Sequence, residues 1–445
     1  MTKRLLGSGW DLRVSLLRTA LLLAVAGATL GALPATLAQG SLLDAPKPSR
    51  EIRAPALPDR LPDKPSQPPA FKISVEPLGF SAPGPLYLGQ RNSLVSLDFL
   101  DEDRLLFTFR VPGLIRREAG EREASQGEMD ARQIRAVVLA LPSGVVQAEA
   151  LWTVHDRQRY LWMLTGGRFL LRDRDNLEMG DATLELKPFL RFPGPLLWLE
   201  MDPAQKFLVT DSREPAASAS KEPDGQKPAD ADLSVRVLRR DSGQVMLVSR
   251  APSTVHLPIN SDGYLGSLRS SGDDWMLDLN YFSGGSRILG RIDSTCSPLF
   301  DFLSEHEVLV TTCTDSGAGK LVALTTDGRR LWEAQTSDES IWPLVVRSPD
   351  GSRLAREALA ITHPVSARSP VSQDDIKGQL VEVLDAADGK VTLEASASPV
   401  LDAGGNVAIS PSGRRVAVLN GGAIQVFELP PPPPLADLAA HPPAR

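Results

Sequence analysis

Few residues in this chain of 445 stand where their types and spacing could do chemistry. Five histidines are present: His155, His256, His306, His363 and His441. No two lie at metal-ligand spacing and there is no H-E-x-x-H, so zinc or copper would need distant residues to converge. Ser316-Gly317-Ala318-Gly319-Lys320 has part of the spelling of a phosphate loop. Thr314 stands where its first glycine belongs, and Leu321 where Ser or Thr would hold Mg²⁺, so the stretch reads as a hairpin loop. Asp173-Arg174-Asp175-Asn176, with Glu178 and Asp181, offers oxygens for Ca²⁺. Leu177 and Glu178 occupy positions where an EF-hand needs a further ligand and a glycine, which leaves a solvated turn. A G-x-S-x-G nucleophile elbow is missing. No metal and no cofactor is expected.

The two cysteines, Cys296 and Cys313, are better placed for structure than for catalysis, since there is no C-x-x-C. Their midpoint falls in the polar turn Ser304-Glu305-His306-Glu307, flanked by the apolar runs 299–303 and 308–312. A hairpin centred there sets the two thiols opposite each other and predicts a cross-strand disulfide, worth about 3 kcal/mol by loop closure. The alternative is a pair of buried free thiols.

A disulfide requires an oxidising compartment. Lys3, Arg4, Arg13 and Arg18 precede an apolar stretch over 20–33, which is short for a membrane span. Thr36-Leu37-Ala38 then supplies small residues. Residues 1–38 therefore read as a signal peptide cut after Ala38, and the protein as periplasmic or extracellular, with no membrane span in the mature form. The formal net charge is −7 and becomes more negative once the basic leader is gone, which disfavours nucleic acid as a partner.

The elements that would position any site are short strands. Ser348-Pro349-Asp350-Gly351 and Ser410-Pro411-Ser412-Gly413 are turns between β-rich runs. Pro presets the turn and Gly supplies its positive φ. The pattern recurs over 71–429 and predicts an all-β chain, a single β-propeller of seven four-stranded blades, with six and eight as alternative counts. Only three strands fit in the last blade, over 406–409, 416–420 and 423–428. The alternating Phe71-Lys72-Ile73-Ser74-Val75-Glu76 is expected to supply the fourth and close the ring. The proline-rich stretches 39–70 and 430–445 are expected to be a disordered linker and a disordered tail.

Three insertions interrupt the pattern: 112–133, 212–232 and 362–378. Each lies between the second and third strands of its blade, so all three should crowd one face of the ring. Arg116, Arg117, Arg213 and His363 are the candidate partner-binding residues there. Asp98, Asp202 and Asp301 are candidates to face the central channel. The six tryptophans beyond the leader are spread along the chain and are expected to pack between sheets.

Thr325-Thr326-Asp327-Gly328-Arg329-Arg330-Leu331-Trp332-Glu333 resembles the blade repeat of quinoprotein-like propellers, in which a glycine turn leads into a Leu-Trp strand. The two Ser-Pro-x-Gly turns resemble those of WD40-like and translocation-protein-type periplasmic propellers. The chain is thus similar, over about 71–429, to exported bacterial WD40/quinoprotein-like (YVTN-type) propeller repeat proteins. The resemblance implies the fold and does not carry the quinone cofactor with it, since no vicinal cysteine pair is present. The function expected is an exported, non-enzymatic binding or scaffold protein. It would engage a protein or cell-envelope partner through the long loops of one face. The alternative is a channel-mouth hydrolase or lyase acting on sugars or lactones.

Overall fold

Alternating apolar and polar residues, broken by turns rich in Gly, Asp and Ser, give strands in antiparallel sheets and almost no helix. The computed structural model describes residues 52–53, 57, 60–82, 95–111, 132–155, 159–213, 233–314, 319–365, 371–401 and 404–432. Two short strands come first, β1 (Ile52–Arg53) and β2 (Phe71–Ser74). Blade 1 is β3 (Val95–Asp101), β4 (Arg104–Arg110), β5 (Arg132–Ala140) and β6 (Val146–Val154). Blade 2 is β7 (Leu161–Leu164), β8 (Arg168–Asp173), β9 (Asn176–Gly180) and β10 (Lys187–Arg191). Blade 3 is β11 (Leu196–Met201), β12 (Phe207–Arg213), β13 (Leu233–Arg239) and β14 (Val245–Ala251).

Blade 4 holds β15 (Gly263–Ser271), β16 (Asp274–Tyr281) and β17 (Ser286–Asp293). Blade 5 is β18 (Leu299–Ser304), β19 (Glu307–Thr311), β20 (Gly319–Thr325) and β21 (Arg330–Thr336). Blade 6 is β22 (Ser340–Arg347), β23 (Arg353–Ile361), β24 (Ile376–Asp385) and β25 (Val391–Ala397). Blade 7 joins β26 (Val407–Ile409), β27 (Arg415–Asn420) and β28 (Ala423–Glu428) to β2, paired from Phe71↔Val426 to Ser74↔Ala423. The ring is a seven-bladed propeller closed by its N-terminal strand, as the alternation in Phe71–Glu76 predicts. Among the described residues no helix is long and apolar enough to cross a membrane.

The first strand of each blade lies innermost; β3, β7, β22 and β26 neighbour one another around the axis. Blade 4 departs from the rule. Its innermost strand is reduced to one bridge, Ile259↔Tyr264, and β15 takes the second position. The sequence reading places a strand at 255–260 and none at 263–271, because Gly263, Gly266 and three serines weaken the β signal of β15.

The proline-rich stretch 39–70 does not behave as a disordered linker where it is described. It runs along the outer strands of blades 5, 6 and 7. β1 pairs in parallel with β21. Leu57 is buried and its N–H donates to Gln335 O at 3.0 Å. Ser66 N–H donates to Glu394 O, and Glu394 N–H donates to Ser66 Oγ, both at 2.9 Å. Short pairings of this kind cover edges that would otherwise be open. The tail is described only to residue 432, where Pro430 O accepts a hydrogen bond from buried Arg353 at 2.7 Å. Residues 1–38 lie outside the described residues.

The core is divided between blades. Ile73, Leu419 and Val426 of blade 7 pack with Leu97, Phe107 and Val137 of blade 1, and similar clusters join 1 to 2, 2 to 3, 4 to 5, 5 to 6 and 6 to 7. Trp332 shows how one blade registers on the next. It is fully buried on β21 and its Nε1–H donates to Ala386 O of blade 6 at 2.7 Å. The turn after β24 reaches this ring through Gly389, where a Cβ would come within 2.6 Å of the indole. Gly328 makes the same contact one blade earlier. At φ +91°, its Cβ would lie 2.6 Å from Leu289 O.

Blades 6 and 7 also share a buried polar join. Gln379 Nε2–H donates to Glu357 Oε2 at 2.8 Å, and Asn406 Nδ2–H donates to Gln379 Oε1 at 2.8 Å. Glu357 Oε1 is buried with no hydrogen-bond partner. Burial pushes the Glu357 carboxyl up to about 8, while the bond from Gln379 pulls it down.

Two outcomes follow. Gly328→Ala should destabilise the ring by about 2 kcal/mol or more, from left-handed backbone strain plus the backbone clash, measured by urea unfolding. Glu357 is neutral when folded and ionises above pH 4.5 when unfolded. Its contribution is therefore present at low pH and is lost as pH rises toward 8, at up to about 1.4 kcal/mol per pH unit. Glu357→Gln should flatten that slope; an unchanged slope would show that this carboxyl is ionised in the folded protein.

Candidate functional site

Two regions gather functional groups: the face bearing the insertions, and the axial channel that opens on it. Inner strands run in one direction, so connections between second and third strands emerge at one face, together with connections between blades. First-to-second and third-to-fourth turns emerge at the other. The second-to-third connections of blades 2, 4 and 7 are the tight turns Arg174-Asp175, Gly272-Asp273 and Gly421-Gly422. Those of blades 1, 3 and 6 are 111–131, 214–232 and 362–375.

Arg116 and Arg117 lie outside the described residues. Arg213 is the last residue of β12, exposed, with its N–H donating to Pro195 O at 2.9 Å. His363 is exposed; Nδ1 lies 2.9 Å from Thr362 Oγ1 and Nε2 lies 3.7 Å from Asp375 Oδ1. Blades 4 and 5 stand between Arg213 and His363 in the ring, so these two share a face without forming one cluster. The disulfide is on that face. Cys296, in the connection from blade 4 to blade 5, is bonded to Cys313, in the second-to-third connection of blade 5, with Cα atoms 5.9 Å apart.

The three aspartates named for the channel part company. Asp202 is fully buried in the turn after β11, accepting a hydrogen bond from Phe207 N–H at 2.6 Å, so it does not face the channel. Asp98 on β3 accepts a bond from Ser96 Oγ at 2.5 Å. Asp301 on β18 belongs to a cluster the sequence does not announce. His256 Nδ1 is hydrogen-bonded to Glu200 of β11, and its Nε2 lies 2.9 Å from Phe300 O and 3.6 Å from Asp301 Oδ1. Glu200 also accepts Leu257 N–H at 3.2 Å and Trp198 Nε1–H at 2.5 Å. Only a lone histidine after a proline-serine-threonine run marks His256 in the sequence, and Glu200 carries no signal.

This cluster joins blades 3, 4 and 5 where blade 4 lacks a full inner strand. The join of blades 3 and 4 also has a ring contact of 6.0 Å between Phe207 and Phe282. Asp211 accepts Val255 N–H at 2.6 Å across the same join. Desolvation lowers the His256 pKa, but the Glu200 hydrogen bond and charge, with Asp301, outweigh it and raise the value to about 9. With both ring nitrogens donating, His256 is a fixed imidazolium rather than a free base. Desolvation pushes Asp211 up to about 7 and Asp301 up to about 6. Among the described residues no three His, Cys, Asp or Glu groups gather as a metal site.

No protein-family model matches the chain, and no curated protein matches it. Solved structures similar to it include the uncomplexed acylaminoacyl peptidase of Pyrococcus horikoshii, with 10% identity and a TM-score of 0.44 over 76% of this chain and 52% of that one. An acylaminoacyl peptidase in complex with Z-Gly-Gly-Phe-chloromethyl ketone gives 10% and 0.42, over 76% and 52%. Sqt1 of Chaetomium thermophilum, bound to the N-terminus of ribosomal protein L10, gives 11% and 0.40, over 76% and 97%. The chain spans about half the length of the peptidases it matches. Likeness at this level says nothing about activity.

The imidazolium join gives a pH signature. The His256 pKa is raised on folding from 6.5, so its contribution is complete below that pH and lost as pH rises through about 9. The raised values of Asp211 and Asp301 act in the same direction over lower pH, stability falling from pH 3.8 up to about 7 and 6. His256→Gln should lose about 1–2 kcal/mol at pH 6, allowing for partial exposure, and should converge with the parent protein above pH 9.5. Equal losses at both pH values would show that the ring is held by packing and not by charge.

Proposed function

We propose that the chain is an exported, non-enzymatic propeller that binds a protein or cell-envelope partner through its insertion-bearing face. One observation carries this reading: the second-to-third connections are two residues long in blades 2, 4 and 7 and greatly extended in blades 1, 3 and 6, all at one face. Long loops on a rigid scaffold are the usual place for recognition. Arg116, Arg117 and His363 belong to these insertions and Arg213 ends the strand that leads into one, and together they would supply positive contacts on an acidic chain. The leader-like residues 1–38 and the Cys296–Cys313 bond support export. The repeat spelling supports kinship with the WD40/quinoprotein-like propellers.

The channel-mouth enzyme has less support. Asp202 is committed to a turn, and His256 has both nitrogens engaged, so neither is available for proton transfer to a substrate.

The test is to replace 113–130 and 365–371 with short Gly-Ser links, which leaves β4, β5, β23 and β24 whole. Cross-linking capture from intact cells should enrich one envelope protein with the full chain and not with the shortened one. That protein, once purified, should bind the full chain at least tenfold more tightly, with both chains melting as folded rings. Equal binding would overturn the assignment.

A further inference from the structure

Beside the axial channel the fold holds in place a cation, Arg159, that forms no salt bridge among the described residues, its nearest opposing charge being Asp98. Arg159 immediately precedes Tyr160 and β7, the innermost strand of blade 2, on the same face as the insertions. Its Nε–H donates to Leu161 O at 3.0 Å. Its guanidinium carbon lies 5.5 Å from the ring centroid of Trp162, a buried side chain. Arg172 approaches the same indole, at 5.6 Å, but donates to Leu197 O at 2.9 Å and is buried. Tether and stack hold Arg159 in place, and its two terminal nitrogens make no hydrogen bond among the described residues.

Among the described residues no carboxylate forms a salt bridge with Arg159. Asp98, the charge that acts on it, is already hydrogen-bonded to Ser96 Oγ. Arg159 is exposed to solvent. Desolvation lowers its pKa and Asp98 pulls it back. Burial likewise holds the Asp98 carboxyl above the usual range, which softens its repulsion of an incoming anion.

The other inner strands supply apolar surface. Trp198, Leu299 and Val345 are exposed at 37%, 58% and 37%, on β11, β18 and β22. Glu200 and Asp301 alternate with Trp198 and Leu299 along the same strands. Arg347 on β22 already donates to Phe302 O at 2.6 Å and faces Asp301, so a multiply charged anion such as phosphate would meet these acids with Arg159 as the fork left to hold it. A single carboxylate on an apolar body matches what is there: two oxygens for two N–H groups, and aliphatic or aromatic contact beyond.

We propose that the mouth of the axial channel binds a carboxylate attached to an apolar group, held in a bidentate pair by Arg159. Either a hydrophobic peptide C-terminus or a small aliphatic acid presents that chemistry. The site does not depend on the insertion-face reading, because every residue in it lies on or beside an inner strand.

Calorimetric titration of the whole folded protein tests it. The probes are N-acetyl-Leu-Val-Leu as free acid, the same peptide as C-terminal amide, and hexanoate. The free-acid peptide or hexanoate should bind, and amidation should weaken the peptide at least tenfold. Arg159→Gln should abolish the preference for acid over amide, and Arg159→Lys should leave it reduced, since charge remains but the fork is lost. Binding of the peptide acid alone identifies a chain terminus as the ligand; binding of hexanoate alone identifies a small acid. No binding by either acid, or equal binding of acid and amide to the unmodified protein, overturns the proposal without recourse to a variant. So does a preference that survives in Arg159→Gln.

Discussion

A tight turn leaves backbone N–H groups pointing away from its own hairpin, and in this ring the following blade supplies the acceptor. Thr165 N–H of blade 2 donates to Gln205 Oε1 of blade 3 at 2.7 Å. Ser261 N–H of blade 4 donates to Glu305 Oε2 of blade 5 at 2.9 Å. Ser412 N–H of blade 7 donates to Glu102 Oε1 of blade 1 at 2.7 Å, which ties the end of the chain to its first blade. Each acceptor sits in the turn between the first and second strands of its blade. Without these side chains the turns would be left with unpaired donors against a neighbour, a cost of about 1–3 kcal/mol each where water is excluded. Gln205 is held at φ 55° to make its reach, a conformation that surrounding contacts must support.

The stitched turns and the insertions lie on opposite faces. One face is fixed by side chains that must have a set length and charge. The other is freed from that duty, and its connections vary from two residues to the long segments of blades 1, 3 and 6. The disulfide is the covalent element on the variable face, and it pins blade 5 beside the seam where blades 3 and 4 meet through Glu200, Asp211 and His256.

The fold was legible because its signals are local. Ser348-Pro349-Asp350-Gly351 folds as a side-chain-capped turn, Ser348 Oγ meeting Asp350 Oδ1 at 2.6 Å and Arg353 N–H donating to Ser348 Oγ at 3.0 Å. The alternation of Phe71–Ser74 and the spacing of Cys296 and Cys313 are equally local, and the structure has both the closing strand and the bond. What the sequence did not disclose depends on closure of the ring. Glu200 and His256 are 56 positions apart and meet only because blade 4 gives up its inner strand. Arg159 reads as an ordinary charged residue before a strand until the strand is known to be innermost. The lacing of 52–70 along blades 5 to 7 escaped notice because proline content signals a lack of regular structure, not a lack of partners.

The pairing of β2 with β28 also sets an order of events. Ile73 finds its place opposite Ile424, so almost the whole chain must be made before the seventh blade exists. Until then β28 has an open edge, and the apolar cluster shared by blades 7 and 1 lacks Ile73. Loop closure over such a separation is slow, and the final pairing acts as a clasp. A nascent chain therefore remains an unclosed coil of blades for the length of its synthesis. The seventh blade is thus the one element of the ring that needs both ends of the propeller present together.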